Sequence, residues 1–248
     1  MLELKNVTVA YDRSRTVLQG IDLVAKSGEI TVLLGQNGSG KSTLFHTVLG
    51  EIPYKGDIFC CGSRLADTKR SARAALLALL PQHLPAPALS VKEAVMLGLS
   101  HRCKHPGEAE WRFVAEKLEA VGISALSDRP VNTLSGGERQ KVFLALMLAH
   151  DAPVLLLDEP ATYTDAPFNH RLFDLLCAER DKGKTVLLVM HDVGAALNLA
   201  DRIVLLENGS VAFDGTPSEA LAREIPEKHF GLTRYTAERD GKTAYFFK

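Results

Sequence analysis

Residues 35–42 read Gly-Gln-Asn-Gly-Ser-Gly-Lys-Ser and fit the pattern Gly-x4-Gly-Lys-Ser/Thr. Glycines at these positions let backbone amides close around the phosphates of a nucleotide, and the following helix adds its positive end. We expect Lys41 to reach the terminal phosphates and the Ser42 hydroxyl to bind Mg²⁺. A buried strand before the loop and a helix after it are the context that this motif requires. The pattern therefore predicts a phosphate-binding loop.

Two carboxylates follow a second apolar run. Residues 154–157 are Val-Leu-Leu-Leu, and Asp158 and Glu159 come next. An acidic residue at the carboxyl end of a parallel strand lies in the crevice where the phosphate loop is also found. Asp158 is placed to hold Mg²⁺ through its coordination shell, and Glu159 to polarise the attacking water as a base. Acidic pairs after strands are also common in solvated turns, but the phosphate loop favours the catalytic interpretation.

A third pattern places a serine and two glycines at the start of a helix. Residues 134–140 read Leu-Ser-Gly-Gly-Glu-Arg-Gln, so that Ser135, Gly136 and Gly137 form a further phosphate-binding arrangement. The chain already carries a complete phosphate loop at residues 35–42. Two phosphate-binding segments in one chain predict that each nucleotide is held by two chains, and therefore a dimer.

The elements that must position these residues follow from hydrophobic periodicity and breakers. Apolar and β-branched runs predict strands, and segments with helical spacing between capping residues and glycines or prolines predict helices. The expected strands are residues 2–9, 17–25, 30–34, 58–61, 154–157, 185–189 and 203–206. The expected helices are residues 41–49, 91–99, 108–121, 137–150, 168–182 and 192–200.

Strands that alternate with helices and are apolar throughout predict an α/β fold with a parallel sheet covered on both faces. A Pro-rich segment, residues 81–87, opens a stretch without a convincing strand, so residues 82–150 are expected to be an inserted α-helical subdomain. The nucleotide-binding core then comprises residues 1–81 and 151–222. Residues 223–248 are expected to be a small appendage, with Asp240-Gly241 as a hairpin turn.

Composition narrows the class of protein. The 248 residues are 46% hydrophobic and 24% charged with a net charge of −1, which gives no reason to expect nucleic-acid binding. No apolar run approaches the roughly 20 residues that span a bilayer, and the first residues lack a signal peptide's pattern. The four cysteines are expected to be reduced thiols. His101, Cys103 and His105 alternate with cationic residues, so a solvated loop is expected there rather than a metal site.

Together the three motifs resemble the ATP-binding subunit of an ABC transporter, and the resemblance covers about residues 1–222. It implies a P-loop NTPase core with antiparallel N-terminal strands. The resemblance implies ATP and Mg²⁺ as cofactors. It makes residues 35–43 the Walker A loop, residues 154–159 the Walker B strand, and residues 134–140 the family signature that binds the γ-phosphate held by the opposite protomer. The implied nucleotide-binding residues are Tyr11, Gly35, Asn37, Gly38, Ser39, Gly40, Lys41, Ser42, Thr43, Ser135, Gly136, Gly137 and Asp165.

The resemblance also implies roles for single residues. Tyr11 matches the aromatic residue that stacks on adenine, although it could be only a strand-end aromatic. Gln82 matches the Q-loop glutamine, which contacts Mg²⁺ or water and senses the transmembrane partner, although it could be a polar residue of a breaker loop. His191 matches the switch histidine at the γ-phosphate, or a histidine that merely starts a helix. Asp165 matches the aspartate at the dimer seam.

One segment departs from the family pattern. Residues 161–165 read Ala-Thr-Tyr-Thr-Asp, so a bulky Tyr163 stands where the family has a small residue between protomers. We expect slower or differently coupled hydrolysis, not its loss. The implied catalytic set is Glu159, His191, Lys41 and Gln82, and the implied metal set is Ser42, Gln82 and Asp158.

Four function hypotheses remain at this point. Residues 79–82, 89–93, 95–98 and 195–201 resemble the iron–siderophore, haem and vitamin B12 importer branch, in which the subunit lies on the inner face of the membrane. Its partners would be transmembrane permease subunits, a second copy of itself and, indirectly, a solute-binding protein. Manganese or zinc import is the nearest rival. Two further hypotheses come from other classes of protein. One is a soluble ABC ATPase that acts on ribosomes or DNA, and the other is a non-hydrolysing scaffold.

Overall fold

The computed structural model describes residues 1–11, 16–161, 165–239 and 242–248. The strands within these residues are β1 (Leu2–Ala10), β2 (Thr16–Ala25), β3 (Glu29–Leu34), β4 (Lys55–Cys60), β5 (Ser63–Arg64), β6 (Leu77–Leu80), β7 (Val154–Asp158), β8 (Thr185–Val189), β9 (Arg202–Glu207), β10 (Ser210–Gly215), β11 (Arg234–Arg239) and β12 (Lys242–Phe247). The helices are α1 (Lys41–Leu49), α2 (Arg70–Leu76), α3 (Val91–Met96), α4 (Glu108–Ala120), α5 (Gly136–His150), α6 (Ala166–Asp181), α7 (Val193–Leu199), α8 (Pro217–Ala222) and α9 (Ile225–Phe230).

A six-stranded sheet forms the centre of the molecule in the order β10-β9-β3-β8-β7-β6. Its strands are parallel except β10, which pairs with β9 in antiparallel fashion. Every residue of β7 and β8 is buried, as expected for strands covered on both faces. The carboxyl ends of β3, β8, β7 and β6 lie at one edge of the sheet. The segments that follow these four neighbouring strands therefore meet there.

Successive residues of each central strand face two different cores, because side chains alternate across a strand. Leu155 and Leu157 pack with the helices α3 to α7, whereas Val154 and Leu156 pack on the other face with α1 and with the strands β1 and β2. The second layer is a four-stranded antiparallel sheet in the order β2-β1-β4-β5. The sheet is thus covered on both faces, and the predicted fold class is confirmed.

Three helices, α3 to α5, lie between β6 and β7 in the chain and form the predicted helical subdomain. Ser90 caps α3, and Ser135 caps α5, each in a capping box with the glutamate three residues later. Helix α3 ends at Met96 and continues as a 3-10 turn over Leu97–Leu99. No helix in the described part of the chain is long and apolar enough to cross a membrane.

Several short elements were not predicted from the sequence. The apolar run at residues 74–80 is divided between α2 and the edge strand β6, and β5, β10, α8 and α9 were also missed. Short apolar runs do not distinguish a strand from a helix, because either can be buried over so few residues. The C-terminal hairpin of β11 and β12 is confirmed, while its expected turn, Asp240-Gly241, lies outside the described residues.

Candidate active site

The phosphate loop joins β3 to α1 and depends on glycines. Gly35 has φ +153° and Gly40 has φ +107°, which L side chains rarely adopt. A Cβ at Gly35 would lie 2.3 Å from the carbonyl oxygen of Leu206, and one at Gly40 would lie 2.6 Å from a methyl carbon of Leu18. No described side chain caps the N-terminus of α1. The amides of its first turn therefore remain available to an anion.

Lys41 is only 7% exposed, and its ammonium lies inside the loop. Its Nζ donates to the carbonyl oxygens of Gly35 at 2.7 Å and Gln36 at 3.0 Å. Burial lowers the pKa of Lys41, although the nearby carboxylates of Glu159 and Asp158 oppose this shift. A cation is thus held at the centre of the loop, which favours binding of an anion.

Glu159 is held between two polar side chains at the sheet edge. Its Oε2 accepts a hydrogen bond from Nε2 of Gln82 at 2.8 Å, and its Oε1 lies 2.5 Å from Nε2 of His191. The backbone of Glu159 has φ +52°, in the left-handed region, and its N–H donates to the carbonyl oxygen of Val189. Such strain is often found at functional sites. Three of the predicted catalytic residues are therefore brought together.

Asp158 lies beside this cluster and is 6% exposed. Burial raises its pKa, while a hydrogen bond from the Ser42 side chain acts in the opposite direction. Its Oδ1 is buried and has no hydrogen-bond partner among the described residues. An unsatisfied carboxylate oxygen next to a hydroxyl oxygen suits a hard cation that takes oxygen ligands. The pair of Asp158 and Ser42 therefore fits Mg²⁺.

A cleft of about 730 Å³ contains many of the predicted residues. It is lined by Tyr11, Val17, Asn37, Gly38, Gly40, Lys41, Ser42, Thr43, Gln82, Glu159 and His191. The Tyr11 hydroxyl is 3.3 Å from Oγ1 of Thr43, and its ring is largely exposed at the mouth of the cleft. Gly35 and Ser39 belong to the same loop, where Ser39 is buried.

The residues at the starts of α5 and α6 are not part of this lining, although Ala166 of α6 lines a second pocket together with Glu159 and His191. None of the described residues that line the cleft belongs to these two helices. The Ser135 hydroxyl and N–H both contact the Glu138 carboxylate, and Asp165 caps α6 by accepting from the N–H of Phe168. Ser135, Gly136, Gly137 and Asp165 are thus not among the residues that line the cleft. Tyr163 lies outside the described residues.

Two glutamines that support the site were not singled out from the sequence. Nε2 of Gln140 donates to the carbonyl oxygen of Pro160 at 3.0 Å and thereby joins α5 to the segment after β7. Nε2 of Gln36 donates to the carbonyl oxygen of His229 at 3.2 Å. Both partners are backbone carbonyls far away in the chain, which no local pattern indicates. His101 and His150 pack against each other with ring centroids 4.3 Å apart.

Comparison with known proteins supports the class that this fold and site define. The profile of the family "ABC transporter" matches residues 18–162. An achromobactin transport ATP-binding protein of Dickeya dadantii is 35% identical over 234 residues, 92% of this chain and 87% of the relative. A hemin import ATP-binding protein of Pseudomonas aeruginosa is 38% identical, covering 94% and 93%. A manganese transport system ATP-binding protein of Synechocystis is 32% identical, covering 93% and 90%.

Solved structures agree in fold. The ATP-binding subunit of an ABC transporter superposes with a TM-score of 0.81 at 28% identity, covering 91% of this chain and 93% of that chain. A dimeric post-hydrolysis state of an ATP-binding cassette, bound to ADP and Pi, superposes with a TM-score of 0.80 at 26% identity, covering 88% and 99%.

The chain belongs to the ABC transporter family, as its ATP-binding subunit. It is an ATPase of the ABC type, whose hydrolysis is coupled to transport. ATP binding follows from the family, whose ATPases form dimers and pair with permease subunits. The resemblance that the sequence motifs indicated is confirmed.

Proposed function

We propose that this chain hydrolyses ATP to power import of a metal chelate through a partner permease. The observation that supports hydrolysis most directly is the position of Glu159, between Gln82 and His191 and beside the phosphate loop. A binding module without turnover would not need a carboxylate held by two polar side chains in a strained backbone conformation.

Each side chain of the cluster has a role in this proposal. Lys41 and the loop amides bind the triphosphate, and Tyr11 stacks on adenine. Glu159 takes a proton from the attacking water as a general base. His191 contacts the γ-phosphate, and Gln82 orients the water or the metal. The energetic contribution is positioning and electrostatic stabilisation, as in other phosphoryl transfers.

Ser42 and Asp158 would hold Mg²⁺, with Gln82 as a third contact. When bound, the metal neutralises charge on the β- and γ-phosphates. The chain's own contribution would be the hydroxyl of Ser42, the carboxylate of Asp158 and a further contact from Gln82. The buried Oδ1 of Asp158 then gains the partner that the described residues do not give it.

The active unit in this proposal is a dimer with ATP held at the seam. Ser135, Gly136 and Gly137 of one copy cover the γ-phosphate on the loop of the other, and Asp165 lies at the contact between copies. Residues 1–81 and 151–222 form the nucleotide-binding core, residues 82–150 transmit closure of the dimer, and residues 223–248 are an appendage. The solved cassette that is dimeric with ADP and Pi bound supports a dimer as the active unit.

A groove beside Gln82 is a suitable place for the permease to dock. It has a volume of about 740 Å³ and lies between α1, α2 and α5, next to β6, the strand that leads into Gln82. Leu49, Leu79 and Leu146 supply apolar surface, and Arg70 and Arg73 supply positive charge. Docking here would keep the chain at the cytoplasmic face of the membrane and connect the permease to Glu159 through Gln82.

The solute is inferred from the relatives. The names of two relatives refer to an iron chelator and to hemin, which supports a chelate of the iron–siderophore, haem or cobalamin type. Manganese is the second candidate, because a third relative is named for its transport. The solute-binding protein would deliver the solute to the permease and would contact this chain only indirectly.

Replacing Glu159 tests the catalytic assignment. We expect Glu159→Gln to keep ATP affinity within about twofold, because the loop and Lys41 are untouched, and to lower turnover by about 10²–10⁴-fold. The variant should also accumulate an ATP-bound dimer in size-exclusion chromatography. Lys41→Ala is the matched control, since it should lose ATP binding as well as turnover. Rapid hydrolysis by Glu159→Gln would remove Glu159 from the base role.

Co-purification in detergent tests the transport assignment. The wild-type chain should be recovered with a membrane protein of several spans, and Arg70→Glu should weaken that association while the isolated chain keeps its ATPase rate. Uptake by the reconstituted complex with ferric siderophore, hemin, cobalamin or Mn²⁺ then identifies the solute. Recovery with ribosomes or DNA, and no membrane partner, would contradict the proposal.

A further inference from the structure

The C-terminal residues contact the active site from two sides. We call α9 together with the hairpin of β11 and β12 the C-terminal clasp. Its helix lies against the phosphate loop, and its last strand packs on α7, the helix that follows His191. Residues 223–248 lie beyond the region in which the sequence motifs occur, yet part of this segment reaches both ends of the site.

At the phosphate loop, the contact is a hydrogen bond from Nε2 of Gln36 to the carbonyl oxygen of His229, at 3.2 Å. The ring of His229 is held in turn, because its Nδ1 lies 3.2 Å from a carboxylate oxygen of Glu207. Glu207 ends β9, the neighbour of β3, and β3 leads into the loop. Helix α9 is therefore anchored to the same sheet that carries the loop.

At α7, the contact involves the side chain of Phe247 and a glycine. A Cβ added at Gly194 would lie 3.6 Å from Cδ2 of Phe247 and 3.7 Å from the carbonyl oxygen of Tyr245. Phe247 is partly buried and packs against the main core. Gly194 is the second residue of α7, and Asp192 caps this helix by accepting from the N–H of Ala195. The clasp thus contacts the first turn of α7, which follows His191.

The two contacts belong to one connected unit. Nε of Arg234, in β11, is 2.7 Å from a carboxylate oxygen of Glu227, in α9, and both side chains are about one quarter exposed. Backbone hydrogen bonds in both directions join Thr233 and Lys248 at the base of the hairpin. A series of contacts therefore connects the phosphate loop with α7 through α9 and the hairpin.

We propose that Phe247 is a positioning residue for His191. The side chain of His191 is 48% exposed, so burial does not fix it, whereas its Nε2 must reach Glu159. Phe247 lies beside Gly194 in the strand that packs on α7, and this packing holds the start of α7 and with it the backbone of His191. A small displacement of a catalytic group lowers the rate of the chemical step. Binding of the nucleotide to the phosphate loop should stay unchanged, because His191 does not belong to that loop. The inference rests on the proposed role of His191.

Phe247→Ala in the full chain is the test, with Phe246→Ala as its control. Phe246 is the neighbouring residue of the same strand, but it is 57% exposed on the other face of the hairpin. We expect Phe247→Ala to lower the kcat for ATP about tenfold with KM unchanged, and Phe246→Ala to change neither. Phe247→Leu, which keeps an apolar contact, should restore most of the rate. A wild-type kcat for Phe247→Ala would overturn the proposal.

Two further variants separate the possible reasons for failure. In a double-mutant cycle, Phe247→Ala should have no added effect on kcat in a His191→Ala background, because it acts through that histidine. Multiplicative effects would show that Phe247 acts otherwise, whereas a wild-type rate for His191→Ala alone would contradict the proposed role of His191. If Phe247→Ala does not fold, Arg234→Gln tests the same connection, and it should lower kcat without changing KM.

Discussion

Gln140 is one of the few polar side chains in the core, with 3% of its surface exposed. Its amide donates to the carbonyl oxygen of Pro160, immediately after Glu159. In the sequence, Gln140 is only the last residue of the motif at residues 134–140. Its hydrogen bond couples the start of α5 to the carboxylate segment, so one glutamine connects two of the three motifs within a single chain.

Gln140→Met keeps the volume of this side chain and removes its donor. We expect a loss of about 1–3 kcal/mol in the free energy of unfolding, because the buried carbonyl of Pro160 loses its partner. Urea denaturation measures this loss, with Arg112→Met on the exposed face of α4 as a control that should change stability by less than about 0.5 kcal/mol. Equal stability of the two variants would mean that water replaces the Gln140 amide.

The residue types at the site could largely be read from local patterns. Gly35, Lys41 and Asp158 lie within or next to motifs whose spacing has a direct physical cause, and each has the environment that the motif implies. For Gln82 and His191, the sequence alone also allowed a role without chemistry, as a polar loop residue and as a residue that starts a helix. Their contacts with Glu159 could not be read locally, because they depend on which strands are neighbours in the sheet.

At the scale of elements, an ion cluster around the buried pair of Lys184 and Glu179 joins three segments at the sheet edge opposite to the site. Nζ of Lys184, immediately before β8, lies 2.5 Å from Glu179 of α6 and 2.6 Å from Asp151, which follows α5. The side chains of Lys184 and Glu179 are 11% and 7% exposed. Burial alone would raise the pKa of Glu179, but the ammonium groups of Lys182 and Lys184 outweigh it and lower this pKa.

This lowered pKa predicts how stability depends on pH. Because the folded state favours the ionised Glu179, its contribution is complete above the ordinary value of 4.5 and is lost as pH falls through the lower folded value. We expect Glu179→Gln to cost about 3 kcal/mol at pH 7, since it removes one partner of a buried pair. The difference from wild type should shrink as pH falls below about 4.5, as measured by urea denaturation.

Glu224→Gln is the control for that measurement. Glu224 pairs with Lys228 at 3.2 Å, but both side chains are 58% exposed, so the pair should contribute less than about 1 kcal/mol at any pH. A difference between Glu179→Gln and wild type that stays constant down to pH 3 would show that ionisation of Glu179 is not the cause.

At the scale of the whole molecule, the placement of the motifs agrees with the proposal that two copies share each site. Lys41, Glu159 and His191 line one cleft, whereas Ser135 lies at the start of α5 outside it. Each complete site would therefore combine Lys41 of one chain with Ser135 of another. A site shared in this way would account for two predicted phosphate-binding segments in one chain.

Mixing two inactive variants tests this arrangement. Lys41→Ala destroys the phosphate loop, and Ser135→Arg blocks the start of α5 with a bulky cation. Neither homodimer has a complete site, but a mixed dimer has one, formed by the intact loop of one chain and the intact Ser135 of the other. We expect ATPase activity to reappear in a 1:1 mixture, at up to about one quarter of the wild-type rate. About half of the dimers in such a mixture contain one copy of each variant, and each of these has one complete site instead of two. Each variant alone should remain near background, and a mixture without activity would contradict a shared site.

The sequence by itself determined the class of the protein and supplied the motifs from which the candidate site residues are predicted. Phosphate loops, acidic strand ends and capped helix starts have local causes: backbone conformation, strand periodicity and hydrogen bonds within a few residues. It also indicated the parallel sheet, because buried strands alternating with helices have few other solutions.

Only the tertiary structure decided which of these residues meet. The order β3-β8-β7-β6 brings Gln82, Glu159 and His191 together at one edge of the sheet and leaves Oδ1 of Asp158 buried without a described partner. No local pattern in the sequence predicts the packing of Phe247 beside α7 either. The physical reason is the same in each case: contacts between distant parts of a chain depend on strand order and shape complementarity, which no short stretch of sequence contains.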